Sequence, residues 1–356
     1  NYNGTISDAN ITGNAISSSA NPALSTGGAI TLNLFGSAST VASLTKAEIN
    51  TNTITNFPGG PGIKVQGAQT TSSGAPAGNY GTPSGAPGTG SNIVQIHNNL
   101  VTGDATNKLN GNAIEASVTG KGVGNFDITG NGTVANPITN ILGQGIAIGA
   151  AGSVTATFNV VNNNLSQLNN SLNSDGIGLG IDKNTQSDAS TLANPTVKAT
   201  IDNNMVGATE GAGIHELLRD SDAVVELRLI RNTVTTAPVN PFFSGIELTS
   251  GSSGSPTYDP TLCAQIGGAG TGNTSPPGAV NGADQRPGIV LNKRSTSATT
   301  YVFGIVGFTP APPNTTQVEA YVTSQNPGSG LGAGVYAGKR VSVNTGDNYT
   351  GCALSF

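Results

Sequence analysis

Apolar and polar positions along this chain repeat a short figure. Between residues 158 and 179, Phe158, Val160 and Leu165 surround the run Asn162-Asn163-Asn164, and after a polar loop comes Gly176-Ile177-Gly178-Leu179. The skeleton is apolar-x-x-Asn-x-apolar, a loop, then Gly-Ile-x-apolar. Aligned on the asparagine, the copies are Ile11-Asn14-Ile16, Ile49-Asn52-Ile54, Ile96-Asn99-Val101, Ile128-Asn131, Val160-Asn163-Leu165, Ile201-Asn204-Val206 and Leu229-Asn232-Val234, with Cys263 to Asn273 as a degenerate eighth. The glycine halves open at Gly28, Gly62, Asn112, Gly145, Gly176, Gly213, Gly245 and Gly288. Asn99, Asn131 and Asn163 are spaced by 32 residues, and other intervals lengthen with their loops. A period within roughly 20–50 residues, broken by variable insertions, predicts a solenoid.

The unit is a strand unit. Val197, Ala199 and Ile201 alternate with Lys198, Thr200 and Asp202, a period of two. Gly, Asn, Ser and Pro punctuate each run, and helix-length periodicity is absent. One such strand cannot bury its apolar face alone, so neighbouring copies must stack to make the core. The expected fold is therefore all-β, a parallel β-helix of about eight irregular rungs over residues 1–291. Two Gly/Pro/Ser/Thr-rich stretches, 66–91 (with a single aromatic, Tyr80) and 251–286, read as insertions outside the rungs. Residues 292–356, including Val318 to Val322, read as a C-terminal β cap or contact segment. Asn14, Asn52, Asn99, Asn131, Asn163, Asn204 and Asn232 are expected to form a ladder at a corner, taking the left-handed backbone themselves and bonding amide to amide. The register also stacks Phe126 on Phe158 and sets Lys198 beside Glu226.

Composition narrows the class. The chain has 356 residues with 51 Gly and 19 Pro, 35% apolar and 9% charged, so it can fill a narrow core but not a wide one. A net charge of -5 with no basic block argues against nucleic acid as a partner. No apolar run approaches the ~18 residues of a membrane span. The start at Asn1 fits a processed segment, and few charges with abundant Thr, Asn and Gly fit an extracellular protein. Cys263 and Cys352 permit one disulfide, worth roughly 4–5 kcal/mol by loop closure; two free thiols are the alternative.

The Ile-x-x-Asn-x-[Ile/Val] and Gly-Ile-x-Leu units resemble the right-handed parallel β-helix repeats of secreted bacterial surface proteins, including passenger-like adhesins. The stretch from Gly288-Ile-Val-Leu through Val302-Phe-Gly-Ile-Val-Gly to Val318-Glu-Ala-Tyr-Val is similar to the closing segment of large bacterial "beta strand repeat" proteins. The resemblance covers nearly all the chain. It implies a right-handed coil at the cell surface and an adhesive or structural role.

Candidate chemistry is sparse. The charge-dense stretch, 210–231, holds His215, Glu216, Arg219, Asp220, Asp222, Glu226, Arg228 and Arg231. As a site it would suit a polysaccharide lyase or hydrolase or a glycan binder; as ordinary structure it is a solvated loop followed by a strand showing Glu226 and Arg228. His97 reads as structural. No calcium-binding nonapeptide, phosphate loop or regular Thr stripe is present, so no catalytic, metal or cofactor residue is assigned. The expectation is a non-enzymatic fibre or adhesin subunit that stacks on copies of itself head to tail. Ile6, Ile11 and Ile16 would form one end of the joint, and Tyr301, Phe303, Phe308, Tyr321 and Phe356 the other. Cell-surface glycan is a second expected partner, and membrane insertion is not expected.

Overall fold

The computed structural model describes residues 4–18, 27–36, 42–69, 78–106, 108–166, 174–182, 194–251, 258–293, 302–309, 315–343 and 349–356. Two long parallel sheets run along a right-handed β-helix. The first has eleven strands, beginning with Thr5–Thr12 and Ser43–Asn50 and ending with Thr261–Ile266, Val302–Val306 and Tyr349–Cys352. The second has nine, from Ile30–Gly36 and Ile63–Gln69 through Ile214–Leu218 to Ile289–Lys293 and Val341–Val343. Short strands at Ala15–Ser17, Thr53–Thr55 and Leu100–Thr102, and again at Asn164–Leu165, Met205–Val206 and Thr233–Val234, form a third face.

Alternation within each strand turns one column of side chains inward at every second residue. In the second sheet Ile63, Ile114, Ile146, Ile177, Ile214, Ile246 and Ile289 share one slot, all buried. In the first sheet Ile49, Ile96, Ile128, Val160, Ile201 and Leu229 do the same. Each such side chain contributes about 1.5–3 kcal/mol by leaving water, and none could do so without the rung on either side. The glycine before each second-sheet strand has a packing reason. A Cβ on Gly62 would lie 2.6 Å from Val101 and one on Gly213 2.7 Å from Val234, because the third face closes tightly there. Phe126 and Phe158 stack in register, with centroids 5.3 Å apart and planes 7° from parallel.

The corners differ from expectation by one residue. The left-handed conformation belongs to the residue before each ladder asparagine: Gly13, Thr51, Asn98, Gly130, Asn162, Asn203 and Arg231, with φ between 52° and 68°. That corner residue turns the chain, and the following asparagine is thrown inward, its amide buried from Asn52 onward.

Both supposed insertions carry rungs. Within 66–91, residues up to Gln69 belong to a second-sheet strand, and Asn79–Tyr80 pairs with Ser43–Asn50 in the first sheet. The looped-out part is 81–93, after which Val94–His97 resumes the same rung. Tyr80 is fully buried beside Phe126, at 5.8 Å, and its hydroxyl donates across the core to the carbonyls of Leu32 and Gln66 while accepting the Leu34 amide at 2.9 Å. Burial pushes its pKa upward, against the Leu34 bond. Within 251–286, Thr261–Ile266 is an ordinary first-sheet strand, and what projects is the antiparallel ribbon Val280–Asn281 with Asp284–Gln285.

The C-terminal segment is likewise corrected. It continues both sheets, and Val318 to Val322 lies on an α-helix, Thr315–Gln325, instead of a strand. Val318, Ala320 and Val322 satisfy a period of two, but Val318 and Val322 also sit one helical turn apart, and these two are the buried pair. Phe303 and Phe308 are buried within the chain, facing Tyr349 and Tyr321 at 5.1 and 5.6 Å, so they are core residues and not a joint. The Tyr321 hydroxyl donates to the Val306 carbonyl. Tyr301 lies outside the described residues.

Cys263 and Cys352 form a disulfide that ties the tail to the outer face of the first sheet. The last residues then run back across that face. Phe356 stacks over Arg228, 4.8 Å from guanidinium to ring, and Ser355 donates to Glu226. From the other direction the 81–93 loop covers the same face, Asn125 donating to the carbonyls of Thr82, Thr89 and Asn92. This explains why Lys198 and Glu226, though in register, do not pair: Lys198 donates to Gly85 and Glu226 accepts from Ser355.

Candidate functional site

The longest ordered polar feature is internal. Each ladder asparagine donates its backbone N–H and its side-chain amide to Oδ1 of the next. Asn14 donates to Asn52, which donates to Asn99, then Asn131, Asn163, Asn204 and Asn232, all at 2.8–3.1 Å. Asn273 and Asn326 extend it, two members that sequence reading placed doubtfully or missed. From Asn52 onward every ladder side chain is buried.

The ladder's ends are unequal. Asn14 is exposed, and its Oδ1 accepts no hydrogen bond among the described residues. Among the described residues the strand Thr5–Thr12 pairs on one side only, and Ile6, Ile11 and Ile16 are half-covered. At the other end the Asn326 side-chain amide donates to the Ile266 carbonyl, as the other ladder amides do to their neighbouring rungs, while its second proton and its backbone N–H turn back on the helix, to the carbonyls of Val322 and Thr323. Glu319 accepts the amide of Val343, on the last second-sheet strand. At the C-terminal end the helix closes the ladder and the second sheet, while the first sheet ends on Tyr349–Cys352, which pairs on one side among the described residues; the N-terminal end is an edge in both sheets.

The charge-dense stretch does not converge. Arg219 pairs with Asp182, Arg231 with Asp202, and Asp222 accepts the Asp259 amide. Asp220 occupies a left-handed turn. Arg228 and Glu226 hold the tail. Glu216 points inward: its slot is that of Leu179, Leu248 and Leu291, it is 1% exposed, and neither carboxylate oxygen makes a hydrogen bond of normal geometry, the Thr249 backbone being its nearest polar support. Burial pushes its pKa well above the ordinary 4.5, and the Thr249 backbone opposes this only in part. The solvated-loop reading of this stretch fails at that residue.

His215 faces outward on the second sheet beside Glu247 in register. Asp175 gathers the Ala212 amide, Gln144 and His215 at 2.8, 3.1 and 3.2 Å. Gly178 makes room for this, since a Cβ there would strike Gln144. Phe243 covers the imidazole edge-on. Glu247, 4% exposed, accepts the Ser244 amide and Arg286 at 2.6 and 2.8 Å. Burial raises its pKa, with Arg286 and His215 opposing. Both carboxylates are buried, and the network holds residues 240–244 through the Ser244 amide on Glu247 and Phe243 over His215. His97, on the first sheet, pairs with Asp127 at 3.1 Å.

What the network holds in place is a cavity of about 380 Å³ lined by Pro241, Phe242, Asn281, Asp284, Arg286, Val335 and Tyr336. A second hollow, about 280 Å³, follows the third face at Asn162, Asn203 and Met205. Among the described residues, no group of three or more His, Cys, Asp or Glu side chains could share a metal ion, and no helix is long and apolar enough to cross a membrane. No family model, curated protein or solved structure matches the chain.

Proposed function

We propose that this chain is an extracellular structural scaffold, a stiff rod that joins a second copy of itself through its N-terminal rung. The observation that carries the reading is the strand edge Thr5–Thr12, which pairs on one side only among the described residues and whose backbone offers both donors and acceptors to a second copy, beside the half-covered Ile6, Ile11 and Ile16. A strand edge with half-covered isoleucines is a template for another strand. The helix covers the ladder and the second sheet at the C-terminal end, which favours a joint between two N-terminal rungs over the head-to-tail stacking expected from sequence. Joining two open ends is an isologous contact, which closes as a dimer. A disulfide fits an oxidising, external compartment.

Sedimentation velocity over a concentration series tests this. The expected result is a reversible monomer–dimer equilibrium that Ile11→Glu abolishes, by placing two carboxylates in the joint. A monomer at all concentrations, or polymers without limit, would overturn it.

A further inference from the structure

We infer that the cavity beside the ribbon is a binding site for a neutral saccharide. Its walls are built before any ligand arrives. Arg286 ties down the loop by donating to the Phe242 carbonyl and to Glu247, and Phe242 donates its amide to Asn240. Asp284 accepts the Val335 amide at 3.0 Å, and Gln285 and Ala333 exchange backbone bonds at 3.1 and 2.9 Å. Gly334 is left-handed at φ 64°, and a Cβ there would strike Asp284.

On this fixed frame Phe242 stands 67% exposed, with Tyr336 lining the same hollow. The loop that carries Phe242 is held by the half-buried Arg286–Glu247 ion pair, so its large solvent-facing ring is not a by-product of a loose segment. Aromatic faces with a few convergent polar groups are the composition of a small-molecule site, and the volume lies at the low end of roughly 300–1,000 Å³. An aromatic face suits the C–H face of a pyranose, while Asp284 and the Asn281 amide offer acceptors and donors to hydroxyl pairs. The charge of Arg286 is matched by Glu247. That leaves the Asp284 carboxylate as the unbalanced charge at the mouth, which repels anionic sugars.

Saturation-transfer NMR with methyl glycosides of glucose, galactose, mannose and N-acetylglucosamine, followed by calorimetric titration, tests the site. At least one neutral glycoside should receive saturation. Phe242→Ala, at an exposed position that leaves the fold intact, should weaken it at least tenfold. Glucuronate should bind less well than the neutral probe, and Asp284→Asn, which keeps the acceptor for Val335, should narrow that preference. No transfer to any neutral glycoside, transfer unchanged in Phe242→Ala, or a preference for glucuronate would overturn the inference. The site does not depend on the N-terminal joint: Ile11→Glu should leave it intact, so either proposal can fail alone.

Discussion

Replacing Glu216 with leucine should stabilise this protein at neutral pH by about 1–3 kcal/mol, the cost of a buried polar group without a partner. The slot is leucine in three neighbouring rungs, at positions 179, 248 and 291, so the new side chain meets the company its neighbours already keep. The pH dependence follows from the same burial. The folded pKa of Glu216 lies above its ordinary 4.5, so the folded state holds a proton that the unfolded chain releases. Stability from this group is fully present below about pH 4.5 and is lost as the pH rises through the folded value. Glu247 is raised as well and adds to the slope. Asp127 runs the other way: burial pushes it up, but bonds from His97, Thr129 and Asn159 outweigh this and hold it below 3.8. Its contribution is present above that value and lost as the pH falls below it. Thermal unfolding should therefore show greatest stability on the acidic side of neutral, with a decline toward pH 8 that Glu216→Gln and Glu216→Leu both reduce. A wild-type curve that is flat or rising from pH 5 to 8, or a leucine variant less stable at pH 7, would contradict the inward placement.

Breaking the ladder in the middle should cost more. Asn163 accepts from the N–H and side-chain amide of Asn131, and donates to the Ile128 carbonyl and to Asn204. Alanine at 163 leaves those buried groups without partners, at roughly 1–3 kcal/mol each before relaxation, for an expected loss of about 3–6 kcal/mol. Asn14 bonds the same way to Asn52 but is exposed, so Asn14→Ala should cost less than about 1 kcal/mol because water replaces what is removed. Urea unfolding of the two variants makes the comparison. Equal shifts would mean that the amides are decoration on a core that holds without them.

The inward slots were legible because a period of two repeats over every rung, and a one-residue slip would turn each apolar set outward. The left-handed residue was not, because three corners are Asn-Asn pairs, at 98–99, 162–163 and 203–204, in which either residue could take the turn. Thr51-Asn52 and Arg231-Asn232 separate the roles, with the non-asparagine at the corner. Glu216 was hidden by alignment on the wrong leucine. In 176–179 the leucine lies three residues after glycine, and counting three from Gly213 reaches Glu216, with Leu217 turned to the outer face and Leu218 buried. Tyr80 was lost because a two-residue strand, split from its partner by a loop, offers no period at all. The lateral pocket brings together residues 241, 281–286 and 335–336, which no local pattern connects.

The fold is organised on a single amide column, open at the N-terminal end and capped by the helix at the C-terminal end. Native-state hydrogen exchange read residue by residue tests it most directly, because exchange reports the local opening energy of each rung. Fast exchange is expected in Thr5–Thr12, with protection rising to a plateau through the ladder amides from Asn99 to Asn273 and kept at Asn326. Equal fraying at both ends, or ladder amides that exchange as fast as those of the loops, would contradict it.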